Sequence, residues 1–465
     1  MRILIHGINF SPELTGIGKY SGELAAWLTL RGHQVRVVTA SPYYPQWQVV
    51  DGYANTWHVQ RLQCAGAAGE VAGEVLVYRC PLWVPVKPSG LKRLLHLASF
   101  ALSSLPIILR QIFWRPDVVL VIEPTLFCAP QAWLVARLSG GKAWLHIQDF
   151  EVDAAFDLGL VKGAGLRRLV AAVELFMMRR FNRVSTISQR MLERLRLKGV
   201  EAAQCVFFPN WVDIHAIAPG KPVDVSVMQK TALLGGFAPR NDGGDVVQVS
   251  GLPDNAAPLN DGVAHAAISG YRAELGIATD AVVALYSGNM GGKQGLEILA
   301  QVALLLRYLT QVVFVFCGNG AERAMLEQAC SGLRNVRFLD LQPQERLGEL
   351  LCMADIHLLP QRAAATDLVM PSKLTGMLAS ARPVVATASA GSELAELVAG
   401  AEQVCGVVVP PENPEQFASA IAALANDADL RAKLGAAGRQ YAVVFLDKEA
   451  VLCRFEVELT RLVMP

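Results

Sequence analysis

A chain of 465 residues is long enough for two or three domains and too long for a single small module. Hydrophobic residues make up 52% of it and charged residues only 18%, with a mean hydropathy of +0.33, which excludes a largely disordered chain. The formal net charge of +1 excludes a global attraction to nucleic acid, so any affinity for anions must be local.

The first apolar run and the cysteines both favour the cytoplasm. Residues 1–10 form a short apolar run that meets Gly7 and Asn9 and has no small-residue cleavage site, which predicts a strand rather than a signal peptide. The nine cysteines are an odd number, widely spread and without a C-x-x-C pair. This pattern is typical of a reducing compartment and argues against a disulfide framework or a zinc site.

A βαβ unit opens the chain. Arg2–Ile8 is predicted to be a buried strand, Lys19–Leu30 an amphipathic helix and Gln34–Ala40 the next strand. The loop SPELTGIG contains Gly16 and Gly18 and connects the end of the strand to the start of the helix. Their missing side chains would let a phosphate or sugar oxygen approach backbone N–H groups, although a tight turn alone would also require glycine.

A long apolar helix is predicted in LKRLLHLASFALSSLPIILR. Polar residues recur there about every 3.6 positions and leave a broad apolar face. The polar set is Lys92, His96, Ser99, Ser103 and Arg110, and the apolar set is Leu94, Leu97, Leu102, Leu105 and Ile108. The uncharged run is shorter than the roughly 20 residues that a membrane span needs, so docking at a membrane surface is predicted, with ordinary packing on a sheet as the alternative. The same two interpretations apply to a second basic stretch containing Arg167, Arg168, Arg179, Arg180 and Arg183.

Two polar residues follow a predicted strand in AWLHIQD. His146 and Asp149 lie at its carboxyl end, where side chains of a parallel sheet reach a binding crevice. A carboxylate there could orient a hydroxyl or act as a base, and an imidazole could donate to an oxygen. A structural histidine and a helix-capping aspartate are the alternative.

The strand–helix–strand order of the first residues recurs in the second half of the chain. Residues 219–270 are rich in Gly, Asp and Pro and are predicted to be an insert or mobile loop. Val282–Gly288 is then predicted to be a strand, Leu296–Leu306 a helix and Val312–Phe316 the next strand, with further alternation behind them.

Candidate anion-binding residues lie after the predicted strands of this second half. A lysine, a hydroxyl and a helix N-terminus that converge there could hold a diphosphate, whereas solvated surface lysines are the alternative. The candidates are Asn289, Lys293, Gly318, Asp367, Ser372 and Lys373. No metal site is predicted, because the one D-x-D, at Asp427 and Asp429, is predicted to cap a helix.

The predicted fold class is α/β, with two Rossmann-like, doubly wound parallel-sheet domains that face a cleft. The predicted domains are 1–205 and 206–440, followed by a C-terminal helix within 441–465 that straps back.

Several motifs, in order, resemble glycosyltransferase family 4, whose members have the GT-B fold of two Rossmann-like domains. They are FPNWVD at 208–213, YSGNMG at 286–291, FCGNG at 316–320, MADIHLLP and PSKLTGMLASARPVV. The runs GINFSPELTGIGKYSGELAAWL, SPYYPQWQV and LHIQDFEVDA are similar to the colanic acid biosynthesis subgroup of this family.

The resemblance implies a retaining, metal-independent transfer without a cofactor. The donor would be a nucleotide sugar, GDP-L-fucose, and the acceptor a lipid-linked saccharide repeat unit of an exopolysaccharide. The enzyme would lie in the cytoplasm, peripheral at the inner face of the cytoplasmic membrane. A UDP-N-acetylglucosamine-dependent transferase, a sugar-nucleotide epimerase on the same fold and a non-catalytic partner in polysaccharide assembly are the alternatives.

The resemblance also assigns residues. Gly16 and Gly18 match the family's N-terminal glycine loop, and His146 and Asp149 fall in the stretch used near the donor sugar. The chain departs from the family pattern in two places. Asn289 replaces an arginine, with the lysine shifted to Lys293. The paired glutamates would fall at Leu368 and Gly376, where Asp367 could substitute for the first.

Overall fold

The computed structural model describes residues 1–13, 16–65, 70–86, 90–123, 126–150, 164–217, 219, 270–292, 294–363, 371–401 and 404–464. These residues divide into two compact units. Unit 1 contains the described parts of 1–211, 363–372 and 448–465, and unit 2 those of 212–362 and 373–447. Unit 1 thus extends past the predicted boundary at 205.

Unit 1 is built on a sheet of eight strands within its described residues, in the order β3-β4-β2-β1-β5-β6-β7-β8. The strands are β1 (Arg2–Gly7), β2 (Gln34–Ala40), β3 (His58–Ala65), β4 (Val71–Cys80), β5 (Val118–Glu123), β6 (Lys142–Ile147), β7 (Arg183–Thr186) and β8 (Cys205–Phe207). All neighbours pair in parallel except β3 and β4. The antiparallel edge strand β3 was not predicted, because parallel pairing was inferred only from strands that alternate with helices.

Helices cover both faces of this sheet. They are α1 (Gly16–Leu30), α2 (Gly90–Arg110), α3 (Ala129–Ser139), α4 (Ala164–Met178) and α5 (Gln189–Lys198). Because successive side chains of a strand point to opposite faces, Leu4 of β1 packs in the core beneath α2 and α3, whereas Ile3 and Ile5 pack against α1. This double burial explains the apolar runs of the strands.

The predicted division of α2 into a polar and an apolar face is wrong. His96, from the predicted polar set, is buried, and so are Leu97 and Ile108 of the apolar set. Leu102 and Leu105, also from the apolar set, are exposed to solvent. Helical periodicity separates the residues into stripes, but the neighbours of the helix decide which stripe is buried.

Unit 2 is built on a second sheet, which has six parallel strands within the described residues in the order β11-β10-β9-β12-β13-β14. The strands are β9 (Val282–Ser287), β10 (Val312–Cys317), β11 (Val336–Leu339), β12 (Ile356–Leu359), β13 (Val384–Thr387) and β14 (Gly406–Val409). The helices are α6 (Glu297–Leu305), α7 (Arg323–Ala329), α8 (Leu347–Met353), α9 (Lys373–Ala379), α10 (Glu393–Ala399), α11 (Pro414–Asn426) and α12 (Ala428–Tyr441). Asp427 caps α12 by accepting from the Leu430 N–H at 2.8 Å, as predicted.

The last helix, α13 (Lys448–Val463), belongs to unit 1 although it follows unit 2 in the chain. Its apolar side packs into the core on the α1 side of the sheet. Phe455 stacks on Phe208 with ring centroids 4.3 Å apart and meets Trp144 edge-on at 4.8 Å. The two parallel-sheet α/β domains and the helical C-terminus are therefore confirmed. The predicted insert at 219–270 lies almost wholly outside the described residues.

Candidate functional site

Two glycine-rich loops touch at the carboxyl ends of β9 and β10. Gly288 and Gly318 have φ values of +137° and +147°, which only glycine adopts readily. A Cβ at Gly318 would lie 1.9 Å from the carbonyl oxygen of Gly288. Since no rotamer can relieve contact between a Cβ and a backbone atom, the two loops can meet only where side chains are absent.

Lys373, the first residue of α9, places its ammonium beside this loop pair. Its Nζ donates to the Tyr286 hydroxyl at 3.1 Å and lies 4.3 Å from the centre of that ring. The Tyr286 hydroxyl donates to the Asn289 carbonyl oxygen at 2.7 Å. The same Nζ is 3.3 Å from where a Cβ of Gly288 would stand. The contact with Tyr286 therefore holds the Lys373 ammonium next to Gly288, where the backbone carries no side chain.

The environment of Lys373 favours binding of an anion. Burial away from water lowers the pKa of its ammonium to about 7, because the charged form loses hydration. A phosphate on the loop would supply the countercharge that stabilises the protonated form. Backbone N–H groups together with one lysine are a usual way of holding a diphosphate.

Two arginines that sequence reasoning missed hold these loops in place. Arg323 donates to the Gly318 carbonyl at 2.6 Å and to the Leu339 carbonyl at 2.7 Å. Arg362 donates to the Gly292 carbonyl at 2.7 Å and forms an ion pair with Glu297 at 2.8 Å. Both follow strands of unit 2 by only a few residues, which is the signal that could have identified them.

The structure thus brings together Asn289, Gly318 and Lys373 of the predicted set. Ser372 is half-buried and immediately precedes Lys373. Lys293 and Asp367 lie outside the described residues.

Gly376 stands where the resemblance would place the family's second glutamate. A Cβ at this position would lie 2.9 Å from Cδ1 of Leu351 and 3.7 Å from Cδ1 of Ile217. The helix α9 therefore packs Gly376 against apolar side chains of unit 2, so a Cβ there would displace the Leu351 side chain and a glutamate would lie beside apolar groups.

In unit 1, His146 lies below the surface. Its Nδ1 bonds to the Ser185 hydroxyl at 2.9 Å and its Nε2 to Gln148 Nε2 at 3.1 Å. Burial lowers the pKa of its imidazole to about 3, so it is neutral at pH 7. With both ring nitrogens engaged, His146 can act on a ligand only by orienting Gln148. Asp149 is half-buried just past the end of β6.

The first glycine loop packs against a buried carboxylate, and its predicted role in binding the donor stays a prediction. A Cβ at Gly18 would lie 2.5 Å from Oε2 of Glu13, so Gly18 makes room for that carboxylate. Glu13 is buried and accepts from Asn9 Nδ2 at 2.9 Å and from the N–H groups of Tyr43 and Tyr44 at 3.1 Å. Burial raises the pKa of Glu13 to about 7. Gly16 starts α1 with φ +61° and has open space around its Cβ position.

Among the described residues, no group of three His, Cys, Asp or Glu side chains lies close enough to hold a metal ion. Metal independence stays a prediction.

Comparisons with known proteins agree with this division. Residues 15–211 match the glycosyl transferase 4-like domain family, and residues 281–427 match the glycosyl transferases group 1 family. The protein described as the colanic acid biosynthesis glycosyl transferase WcaI of Escherichia coli (strain K12) is 41% identical over 460 residues, which cover 98% of both chains.

Solved structures show the same fold at low identity. The sucrose-phosphate synthase of Thermosynechococcus elongatus has a TM-score of 0.66 at 15% identity, covering 99% of this chain and 98% of its own. Anabaena Alr3699/HepE in complex with UDP-glucose has a TM-score of 0.63 at 15% identity, covering 99% of this chain and 100% of its own. Both similarities extend over the two units and the C-terminal helix.

Proposed function

We propose that this chain transfers L-fucose from GDP-L-fucose to a lipid-linked saccharide of a colanic-acid-type exopolysaccharide. The chain belongs to the glycosyl transferases that combine a 4-like domain with a group 1 domain. Membership of the family makes it a glycosyltransferase. The 41% identity to WcaI over nearly the whole chain supports the assignment to colanic acid biosynthesis. The donor and the lipid-linked acceptor follow from the subgroup that its motifs resemble.

One observation carries the proposed reaction: the lysine and glycine cradle of unit 2. Lys373, Tyr286 and the contacting loops at Gly288 and Gly318 lie together at the carboxyl ends of β9 and β10, where a diphosphate would meet the ammonium and backbone N–H groups. In a transfer reaction, negative charge develops on the departing nucleoside diphosphate. A fixed ammonium and fixed N–H groups stabilise that charge without reorganising, which lowers the barrier to cleavage of the sugar–phosphate bond.

The remaining roles are assigned as parts of the same proposal. Retention of configuration would follow if the acceptor hydroxyl attacks the face that the diphosphate leaves, with a departing phosphate oxygen taking the hydroxyl proton. Asp149 would orient the acceptor or sugar hydroxyl, and His146 would hold Gln148 in position. In this reaction no protein carboxylate acts as nucleophile.

The donor is tested by thermal shift with GDP, UDP, GDP-L-fucose and UDP-N-acetylglucosamine, each with and without EDTA. A shift with GDP and its fucose derivative but not with UDP supports the proposal, and the reverse order would replace it with the UDP-dependent alternative. That alternative is kept because Alr3699/HepE, which shares the fold, was crystallised with UDP-glucose. Loss of the shift in EDTA would contradict metal independence.

The reaction is tested with the donor that binds. Incubation with membranes that supply lipid-linked saccharides is expected to release GDP and to label the lipid fraction with fucose. Incubation without acceptor is expected to leave the sugar unchanged apart from slow hydrolysis, whereas formation of an isomeric sugar nucleotide would indicate an epimerase. Donor binding without any turnover on acceptor would favour a non-catalytic partner.

A further inference from the structure

A buried carboxylate connects two loops at the carboxyl edge of the unit 1 sheet. Residues 8–13, the β1 loop, follow β1, and residues 41–50, the β2 loop, follow β2. Oε1 of Glu13 in the β1 loop accepts from the backbone N–H groups of Tyr43 and Tyr44 in the β2 loop, both at 3.1 Å. Because Glu13 is only 5% exposed, these bonds are made away from water.

The β1 loop is held in two further ways. Asn9 donates from Nδ2 to Oε2 of Glu13 at 2.9 Å. Arg79, buried at the end of β4, donates to the Ser11 carbonyl oxygen of the β1 loop and to the Ala40 carbonyl oxygen at the end of β2. Since β4, β2 and β1 are neighbours in the sheet, these two side chains tie together the ends of three adjacent strands.

The helix α1 has a bare strip on which the β1 loop lies. A Cβ at Gly18 would lie 2.5 Å from Oε2 and 2.6 Å from Cβ of Glu13, and a Cβ at Gly22 would lie 2.7 Å from Cβ of Ser11. Residues four positions apart lie on the same side of a helix. Neither glycine has a positive φ, so the close approach of the loop is what requires them.

The two loops lie where an acceptor would bind. In an open α/β sheet, ligands bind beyond the carboxyl ends of the strands. Asp149, which the proposed function places at the acceptor or sugar hydroxyl, follows β6 at the same edge. A loop that is already held by hydrogen bonds loses little conformational entropy when a ligand arrives. The Glu13 bonds therefore set the shape of this surface before an acceptor is bound.

We propose that Glu13 is a positioning residue for the acceptor, and that its carboxyl group, together with Arg79, holds the β1 and β2 loops in the conformation that receives the lipid-linked saccharide. The identity of the acceptor rests on the proposed function. Glu13 is too buried to contact a ligand, so it acts through the loops and takes no part in cleavage of the sugar–phosphate bond.

A neutral glutamine can replace this carboxyl group. Burial raises the pKa of Glu13 to about 7, against the opposite effects of its hydrogen bonds and of Arg79, so the neutral acid forms readily near pH 7. Glutamine offers the same acceptor and donor as that acid: a carbonyl oxygen for the two N–H groups, and an amide N–H for Oδ1 of Asn9 once the Asn9 amide turns over. Alanine offers neither and leaves both N–H groups without this acceptor.

Hydrogen exchange measured by mass spectrometry tests the loops without any substrate. In Glu13→Ala, the peptide that contains Tyr43 and Tyr44 is expected to exchange about tenfold faster or more, because these N–H groups lose their acceptor. Glu13→Gln is expected to exchange like the original chain. Gly18→Ala is expected to resemble Glu13→Ala, since its Cβ displaces the carboxylate. The matched control is Gly165→Ala in α4, where no described atom lies within 4 Å of the added Cβ.

Transfer kinetics test what the loops do. The donor that binds is kept saturating, and a lipid extract of acceptor-supplying membranes is titrated. Glu13→Ala is expected to raise the KM for the lipid acceptor about tenfold or more and to leave the KM for the donor within about twofold. Glu13→Gln is expected to recover most of the loss. The control Glu201→Ala changes an exposed glutamate of unit 1 and is expected to transfer like the original chain.

Three results would overturn the inference. The first is unchanged exchange of the β2 loop in Glu13→Ala. The second is an unchanged acceptor KM in a variant whose β2 loop exchanges faster. The third is an equal rise of the acceptor KM in Glu13→Gln and Glu13→Ala, which would assign the effect to the negative charge rather than to the hydrogen bonds.

Two safeguards keep these tests decisive. If Glu13→Ala does not fold, Gly18→Ala is measured in its place, because it displaces the same carboxylate. Failure of the proposed function is recognised in the original chain, which would then transfer no sugar to the lipid extract. Failure of this inference leaves the original chain active and appears only in the comparison of the variants.

Discussion

At the scale of residues, the unit 2 site depends on one lysine and two glycines whose roles come from their surroundings. Lys373 is held by Tyr286 next to a loop without side chains. Lys433, in the same unit, is exposed on α12. The residue type is the same, but burial lowers the pKa of Lys373, so its ammonium gains more from an arriving phosphate than the ammonium of an exposed lysine does.

Lys373→Ala is expected to lower kcat/KM for sugar transfer about a hundredfold or more, because a fixed charge at the departing diphosphate is removed. Lys433→Ala is the matched control and is expected to leave the rate unchanged. Both variants are compared by radiolabelled sugar transfer, after circular dichroism has shown that they are folded. Near-normal transfer by Lys373→Ala would remove this lysine from the site.

The lowered pKa of Lys373 predicts a proton linkage. Below pH 7 the free lysine is already protonated, so this group adds no pH dependence to the affinity for a nucleoside diphosphate. Above pH 7 the free amine is neutral, and the bound phosphates raise its pKa again, so binding takes up a proton and affinity falls as pH rises. Calorimetry of GDP at pH 8 in two buffers of different ionisation enthalpy measures this uptake, and Lys373→Ala should show none from this group.

Gly318→Ala is expected to abolish nucleotide binding and to destabilise unit 2, because its Cβ would overlap the Gly288 carbonyl. Gly332→Ala is the control: its φ is also positive, at +82°, but nothing lies within 4 Å of the added Cβ. The control is expected to cost about 1 to 2 kcal/mol from backbone strain alone and to bind GDP normally. Urea unfolding and GDP titration of both variants separate strain from steric overlap.

At the scale of elements, the position of a helix in the chain does not determine where it packs. The helix α13 ends the sequence but completes the core of unit 1, where Phe455 lies between Phe208 and Trp144. The helix α2 shows the complementary case, because its buried stripe contains His96 and Ser104 while Leu95 and Leu102 are exposed. In both helices, partners far away in sequence select the buried side.

Phe455→Ala is expected to destabilise unit 1 by about 3 to 5 kcal/mol, since it removes a fully buried aromatic side chain and leaves a cavity. Val457→Ala, two residues on and half exposed, is expected to cost less than about 1 kcal/mol. The free energies of unfolding are measured by urea denaturation. Equal effects of the two substitutions would show that α13 is not part of the unit 1 core in solution.

At the scale of the whole molecule, the thiols report on the packing of both units. Eight of the nine cysteines are buried free thiols, and Cys453 on α13 is exposed. Burial raises the pKa of several of them, to about 12 for Cys80, Cys317 and Cys405, which keeps those thiols unreactive.

Titration of the native protein with a thiol reagent at pH 8 is therefore expected to label about one group rapidly. Nine should react after denaturation in guanidinium chloride without a reductant. Cys453→Ser is the control and should leave no fast-reacting group. Rapid labelling of several thiols in the native protein would contradict the burial of the two cores.

The sequence by itself determined the two α/β domains, the family and the glycine loops, because alternating apolar runs, helical periodicity and short motifs are local patterns. Tertiary structure decided how these parts are used. It filled the space at Gly18 with Glu13, buried His146, packed Gly376 against Leu351 and left Leu95 and Leu102 of α2 exposed. It also joined Lys373 to Tyr286, 87 residues away in the chain. Such contacts depend on atoms that are remote in sequence, and no local pattern records which partner reaches a given side chain.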